Sequence, residues 1–284
     1  MDINKEILNL NWKREPYGLY EPIEYTLAAG GKRVRPQLAM IACQMFGGKE
    51  EEVLPAALAL EVFHNFTLLH DDVMDKADVR RGRATVHVKW NENTAILSGD
   101  QMLIEAYKLL AGVPADKLSN VLQLFNKMAT EICEGQQYDV DFESQEQVAV
   151  EEYLKMIRLK TSVLLATALQ IGGYIAGANE EQQEALYQFG INVGLGFQIQ
   201  DDILDVWGDP ETFGKAVGNV CRRKSRLKIN PRNLSCRKIL YLPHTEAQPK
   251  RLSFLVQANL WITELIQIKK MLKQQISPLI ILIP

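Results

Sequence analysis

The chain has 284 residues, 47% of them hydrophobic and 24% charged, with a formal net charge of −3. That is the composition of a globular protein of one large domain or two small ones, and nothing in the charge balance points to nucleic acid. The four cysteines, Cys43, Cys133, Cys221 and Cys236, lack metal-ligand spacing and read as reduced thiols of a cytoplasmic protein; no signal peptide and no transmembrane segment are expected.

In chain order, nearly every segment before Gly218 reads as helix. PQLAMIACQMF opens with a first-turn proline and stops at Gly47-Gly48. EEVLPAALALEVFHNFTLLHDDVMD is apolar almost all round, which predicts a buried central helix. NTAILSGDQMLIEAYKLLAG, ADKLSNVLQLFNKMATEICEGQQYDVDF and VEEYLKMIRLKTSVLLATALQIGGYIAG continue the helical spacing. NEEQQEALYQFGINVGLGFQIQDDILDVWG follows, with Asn179 as its expected N-cap before acidic first-turn positions. No run alternates with period two, so no sheet is expected, and the fold class is all-α, a helical bundle around a central cavity.

Two of these apolar helices end in the same acidic pattern, Asp71-Asp72-x-x-Asp75 and Asp201-Asp202-x-x-Asp205. Positions i and i+4 share a helix face, so Asp71 pairs with Asp75 and Asp201 with Asp205, while the middle aspartates are offset. Like charges so placed destabilise a helix by a few tenths of a kcal/mol, roughly, and a divalent cation removes that cost. Mg2+ suits the site, because it takes one or two carboxylates and completes its shell with water and substrate phosphate oxygens. A single copy of the pattern reads equally well as an exposed carboxylate cluster; the second copy favours the metal. Arg80 and Arg81 follow the first motif in a loop opened by Gly82, and arginine grips phosphate oxygens bidentately. AAGGKRVRPQ places Lys32, Arg33 and Arg35 on a glycine-opened turn, alone a solvated loop but beside the two motifs a second phosphate pocket.

These stretches together resemble the trans-isoprenyl diphosphate synthases, the polyprenyl synthetase family. GGKRVRP, EVFHNFTLLHDDVMDKADVRRGRATVH, GDQMLIEAY, EICEGQQYDVDF, RLKTSVLL and GFQIQDDILDVWGDPETFGKAVG stand in the family's order across residues from about 20 to 218. The resemblance implies an isoprenoid-synthase-type bundle and a prenyltransferase. Asp71, Asp75 and Asp201 would be direct Mg2+ ligands, with Asp72 and Asp205 supporting. Lys32, Arg35, His64 and Arg81 would hold isopentenyl diphosphate. Arg80, Lys160, Thr161, Gln198 and Lys215 would face the allylic diphosphate, with Lys160, Thr161 and Gln198 lending dipoles to the developing cation. Read alone, His64 is a core histidine and Lys160-Thr161 a helix-surface pair. A homodimer is a further implication.

Phe66 and Thr67 stand five and four residues before Asp71, which places Phe66 about 7–8 Å down the helix axis. A ring there would block a long chain, and in the family an aromatic residue at this place accompanies short products; farnesyl or geranylgeranyl diphosphate is therefore expected. The simpler reading of Phe66 is core packing.

After FGKAVG the resemblance stops. Residues 1–218 carry 19 Lys+Arg against 33 Asp+Glu, while residues 219–284 carry 13 against 2, with no glycine and no aspartate. The expectation is a prenyl synthase domain over 1–218, lacking its normal C-terminal helices, and a non-matching basic tail over 219–284 produced by a reading-frame change or serving as a native docking segment. Two other functions compete with the transferase: an impaired pseudo-enzyme or modulatory subunit that binds diphosphates without turnover, and a class I terpene cyclase, against which the basic GGKRVRP and the second aspartate motif argue.

Overall fold

A computed structural model describes residues 2–145 and 148–207. It is all-helical apart from one short hairpin. The elements are α1 (Ile3–Asn9), α2 (Tyr17–Leu27), α3 (Val34–Met45), α4 (Glu50–Met74), β1 (Val79–Arg80), β2 (Arg83–Ala84), α5 (Val86–Lys89), α6 (Glu92–Leu110), α7 (Ala115–Ser144), α8 (Val150–Ile157), a π-helical turn (Arg158–Ser162), α9 (Val163–Ile175) and α10 (Glu180–Trp207). The described residues divide into two compact units, Met1–Ile132 with Val163–Gly190, and Cys133–Ser162 with the part of α10 that starts at Ile191. The Lys215 position and the whole 219–284 tail lie outside the described residues.

The helix boundaries follow local chemistry. Asn179 Oδ1 accepts from the Gln182 amide at 2.9 Å while Gln182 Oε1 accepts from the Asn179 amide at 2.9 Å, a reciprocal cap at the start of α10. At the end of α3, the Gly48 amide donates to Cys43 O and the Gly47 amide to Gln44 O, both at 3.0 Å. Gly47 sits at φ +73°, the left-handed conformation that this helix stop requires. Three acidic residues, Glu50, Glu51 and Glu52, occupy the first turn of α4, where the helix dipole favours them.

In the first unit, α4 and α9 form the interior. Residues Val53 to Phe63 of α4 are largely buried, and α9 is buried along nearly its whole length. Phe63 packs edge-on to Phe125 with ring centres 5.1 Å apart, and Phe125 meets Tyr107 at 5.4 Å, which joins α4, α7 and α6. Such rings contribute about 1.5–3 kcal/mol each on burial. Gly172 of α9 faces the Ala39 backbone of α3 so closely that a Cβ would collide with it. The second unit has its own core of Phe142, Tyr153, Met156 and Ile157, flanked by Tyr138, Leu195 and Ile199.

Three sequence expectations change. By length and composition α4 could cross a bilayer, although no membrane-length run was expected; 67% of its apolar window is buried in the protein, which makes it a core helix. The expected helix over 150–177 is interrupted by the π-helical turn, and the chain after Asp78 forms a two-stranded antiparallel hairpin where no sheet was expected. Strands of two residues are too short to leave a period-two signal.

Candidate functional site

In the first unit, α4 delivers the first aspartate motif at its C-terminal end. Asp71 lies in the last turn and Asp75 caps the helix. Asp72 is offset, 6% exposed, and accepts a 2.7 Å hydrogen bond from Arg80 Nε. Arg80 Nη2 also approaches Asp71 Oδ2 at 3.8 Å. Burial pushes the Asp72 carboxyl above its ordinary pKa, and the Arg80 charge and hydrogen bond oppose that shift. The hairpin explains how Arg80 gets there. Val79 pairs with Ala84 and Arg80 with Arg83, and the two turn residues, Arg81 and Gly82, both have positive φ, +53° and +72°. A two-residue turn with this conformation matches strand twist, and glycine adopts it without strain at the second position.

The glycine pair of AAGGKRVRP has a physical partner in that turn. Arg81 Nη1 donates to Gly30 O, and a Cβ on Gly31 would stand 3.2 Å from the Arg81 guanidinium carbon. Gly31 also has φ +137°, a conformation that glycine adopts without strain and other residues rarely do. Lys32 is exposed and Arg35 partly so. Arg35 Nε is buried without a hydrogen-bond partner. Burial lowers the Arg35 pKa to about 10, with Glu61 opposing and Arg81 reinforcing the shift; the side chain stays charged at neutral pH. His64 is pulled well below its ordinary pKa, first by burial and then by the charges of Arg35, Arg81, Arg80 and Arg33. A neutral imidazole within reach of four guanidinium charges marks a pocket suited to an anion with several oxygens.

Arg33 departs from its neighbours. It is buried, and its Nη1 donates to Glu61 Oε1 at 2.7 Å, its Nη2 to Leu27 O at 2.5 Å.

The second unit carries a separate network. Thr161 Oγ1 donates to Gln198 Oε1 at 2.9 Å, and Gln198 Nε2 donates to Asp202 Oδ1 at 3.0 Å. The Tyr153 hydroxyl donates to Asp202 Oδ2. Burial raises the Asp202 pKa against the hydrogen bonds from Tyr153 and Gln198, and the charges of Asp201 and Asp139 add to the rise. Lys160 Nζ donates to Asp139 Oδ2 at 2.7 Å. Lys160 and Thr161 both lie in the π-helical turn, a distortion that recurs at functional sites. Two glycines make space for it: a Cβ on Gly135 would strike the Lys160 backbone nitrogen, and one on Gly194 would meet Ser162 at 2.5 Å.

The structure thus brings Asp71, Asp72 and Arg80 together, gathers Arg35 and Arg81 near His64, and links Thr161 to Gln198. Asp75 stands one turn from Asp71, Lys32 heads the loop before Arg35, and Asp201 precedes Asp202 on α10. Asp205 lies on α10, but its side chain is outside the described residues, as is all of Lys215. Phe66 joins a ladder of rings, 5.4 Å from Phe63 and 4.8 Å from His70. Thr67 Oγ1 is bound to His64 O at 2.8 Å, so its hydroxyl is turned back on its own helix. Sequence reasoning missed the parts played by Arg33, Glu61, Tyr153, Asp139 and Asp202. The EICEGQQYDVDF match offered a signal for Asp139; Tyr153 offered none.

Among the described residues no three His, Cys, Asp or Glu side chains converge as a ready-made metal cage. The donor set still fits Mg2+, which asks for one or two carboxylates and leaves the rest of its shell to water and phosphate. Asp71, with a side chain 17% exposed, and Asp75, one turn on, offer that.

Comparison with known proteins agrees with these elements. The family model described as Polyprenyl synthetase matches residues 16–223. A geranylgeranyl diphosphate synthase of Methanosarcina mazei is 45% identical over 206 residues, covering 72% of this chain and 64% of the relative. A short chain isoprenyl diphosphate synthase of Methanocaldococcus jannaschii is 45% identical over 212 residues, 74% of this chain and 64% of the relative. The chain therefore spans somewhat under two thirds of the length of these curated relatives. A crystal structure of a geranylgeranyl pyrophosphate synthase superposes with a TM-score of 0.74 at 44% identity, covering 95% of this chain and 86% of that one. With the aspartate motif, the hairpin arginines and the glycine-opened loop in place, the chain belongs to the polyprenyl synthetase family.

Proposed function

We propose that the protein is a trans-prenyltransferase that condenses isopentenyl diphosphate with an allylic diphosphate. The observation that carries the reading is the cation cluster of the first unit: Arg35 with an unpartnered buried Nε, Arg81 over Gly31, and neutral His64 near both. Lys32, Arg35, Arg81 and His64 hold the diphosphate of isopentenyl diphosphate. A terpene cyclase uses no second diphosphate and has no need of them.

Asp71, Asp75 and Asp201 would hold Mg2+, with Asp72 and Asp205 supporting. When bound, Mg2+ supplies Lewis acidity that neutralises the leaving diphosphate. Arg80, Lys160 and Lys215 take the oxygens of the allylic diphosphate. As its C–O bond ionises, the Lys160 segment, Thr161 Oγ1 and Gln198 Oε1 present fixed dipoles to the allylic cation. The double bond of isopentenyl diphosphate then attacks, and a proton leaves to the released diphosphate. Apolar helix walls exclude water meanwhile. Phe66 limits the chain to farnesyl or geranylgeranyl length. The protein is read as cytoplasmic, with a prenyl synthase domain over 1–218. It is also read as a homodimer, for which Leu97 and Ile104, exposed on one face of α6, supply apolar surface.

The test mixes the full chain with isopentenyl diphosphate, an allylic primer and Mg2+, and reads products by mass, with a chelator control. Chelator-sensitive products of fifteen or twenty carbons are expected. Folded protein that binds diphosphate without product supports the second reading, an impaired or modulatory subunit, which the basic tail favours.

A further inference from the structure

Arg33 lies between Lys32 and Arg35, yet its surroundings are of another kind. It opens α3 at φ +47°, a conformation that non-glycine residues adopt rarely. Its side chain is nearly excluded from solvent and reaches three acceptors on three separate elements. These are Glu61 Oε1 of α4 at 2.7 Å, Leu27 O at the end of α2 at 2.5 Å, and Asn4 Oδ1 of α1 at 3.4 Å. Glu61 is fixed in turn: Asn65 Nδ2 donates to Glu61 Oε1 at 3.0 Å and to Glu61 O at 2.8 Å. The side chains of Arg33 and Glu61 are each 2% exposed, so this pair cannot touch a substrate. Glu61 also faces Arg35, whose charge it supports against burial.

We infer that Arg33 and Glu61 are a buried positioning pair for the isopentenyl diphosphate pocket. Arg33 pins the junction between the loop that carries Lys32 and the first turn of α3 that carries Arg35, and Glu61 is the shared counter-charge of the two arginines. The inference rests on the functional reading above. Lysine cannot replace Arg33, because an ammonium is a point charge without the planar fork that reaches acceptors in several directions.

The test compares the full-length wild type with E61Q, R33K and the double variant R33M/E61L, each checked for folding by thermal melt. Isopentenyl diphosphate binding is measured by calorimetry, and KM for each substrate and kcat are measured in parallel. E61Q keeps the size of the side chain and an acceptor for Arg33 but removes the counter-charge. The double variant replaces the pair by apolar groups of similar volume, an exchange that folds tolerate. The expected result is isopentenyl diphosphate affinity weakened by about tenfold in all three, with kcat and the allylic KM within about twofold of wild type. Wild-type affinity in E61Q and R33K, or in the folded double variant, overturns the inference, as does an equal shift of every constant. A wild-type chain that does not bind isopentenyl diphosphate overturns the functional reading, and the inference with it.

Discussion

His64 lies two turns before Asp71 on α4, and its imidazole is held well below the ordinary 6.5 by burial and by four arginines. The sign of the consequence is fixed. An unfolded chain takes up a proton there as pH falls through about 6.5, while the folded chain does not, so this group costs stability progressively below that point. A His64→Gln variant keeps a neutral polar side chain and has no proton to take. Its melting temperature is expected to fall less than the wild type's between pH 7 and pH 5. Parallel melting curves for the two proteins would show that the site does not suppress protonation. A second residue-scale test concerns Tyr153. Tyr153→Phe leaves a half-buried carboxylate one donor short and is expected to cost about 1–3 kcal/mol in chemical denaturation. Unchanged stability would remove Tyr153 from the network, leaving Gln198 as the donor to Asp202. At this scale the sequence was legible where chemistry is local. The i, i+4 aspartates and adjacent arginines announce themselves. Arg33–Glu61, Lys160–Asp139 and Tyr153–Asp202 join residues 28, 21 and 49 positions apart, and no local pattern predicts such pairs.

Elements were legible in proportion to their end signals. Asn179 and Gly47-Gly48 mark real boundaries, because caps satisfy the backbone groups that a helix end leaves open. The π-helical turn had no such mark. Its cause is tertiary: backbone from α7 and α10 approaches it at Gly135 and Gly194. Two glycines within helices therefore have opposite expected responses to alanine. A Cβ added to Gly18 of α2 would meet nothing within 4 Å, so Gly18→Ala should stabilise by about 0.5–1 kcal/mol through helix propensity alone. Gly135→Ala gains the same propensity but drives a methyl into the Lys160 backbone, and overpacking of that kind costs about 1–3 kcal/mol. The clash outweighs the propensity, and net destabilisation is expected. Urea denaturation of both variants checks the pair. Stabilisation by Gly135→Ala would mean that the turn yields easily and that its distortion is not enforced by packing.

Across the whole molecule, helical periodicity made the all-α class legible, because a 3.6-residue pattern needs no partner to be read. How many sites the two acidic motifs form is a different matter, since a motif reports its own helix only. Asp71 belongs to one compact unit and Asp201 to the other. The proposed chemistry requires both to act on one allylic diphosphate, and binding energies can test that without turnover. A ligand at a hundred times its dissociation constant stabilises a protein by about 2.7 kcal/mol. With inorganic diphosphate and Mg2+ as the probe, Asp71→Asn and Asp201→Asn are compared singly and together by thermal denaturation. Two independent sites would each keep their own share of the stabilisation, and the losses would add. One shared site has nothing left to lose after the first substitution. The expected outcome is that either variant alone removes the Mg2+-dependent stabilisation and the double variant loses no more. Additive losses would mean that each motif holds its own diphosphate, and the ionisation step would then lack the metal ligands of one motif.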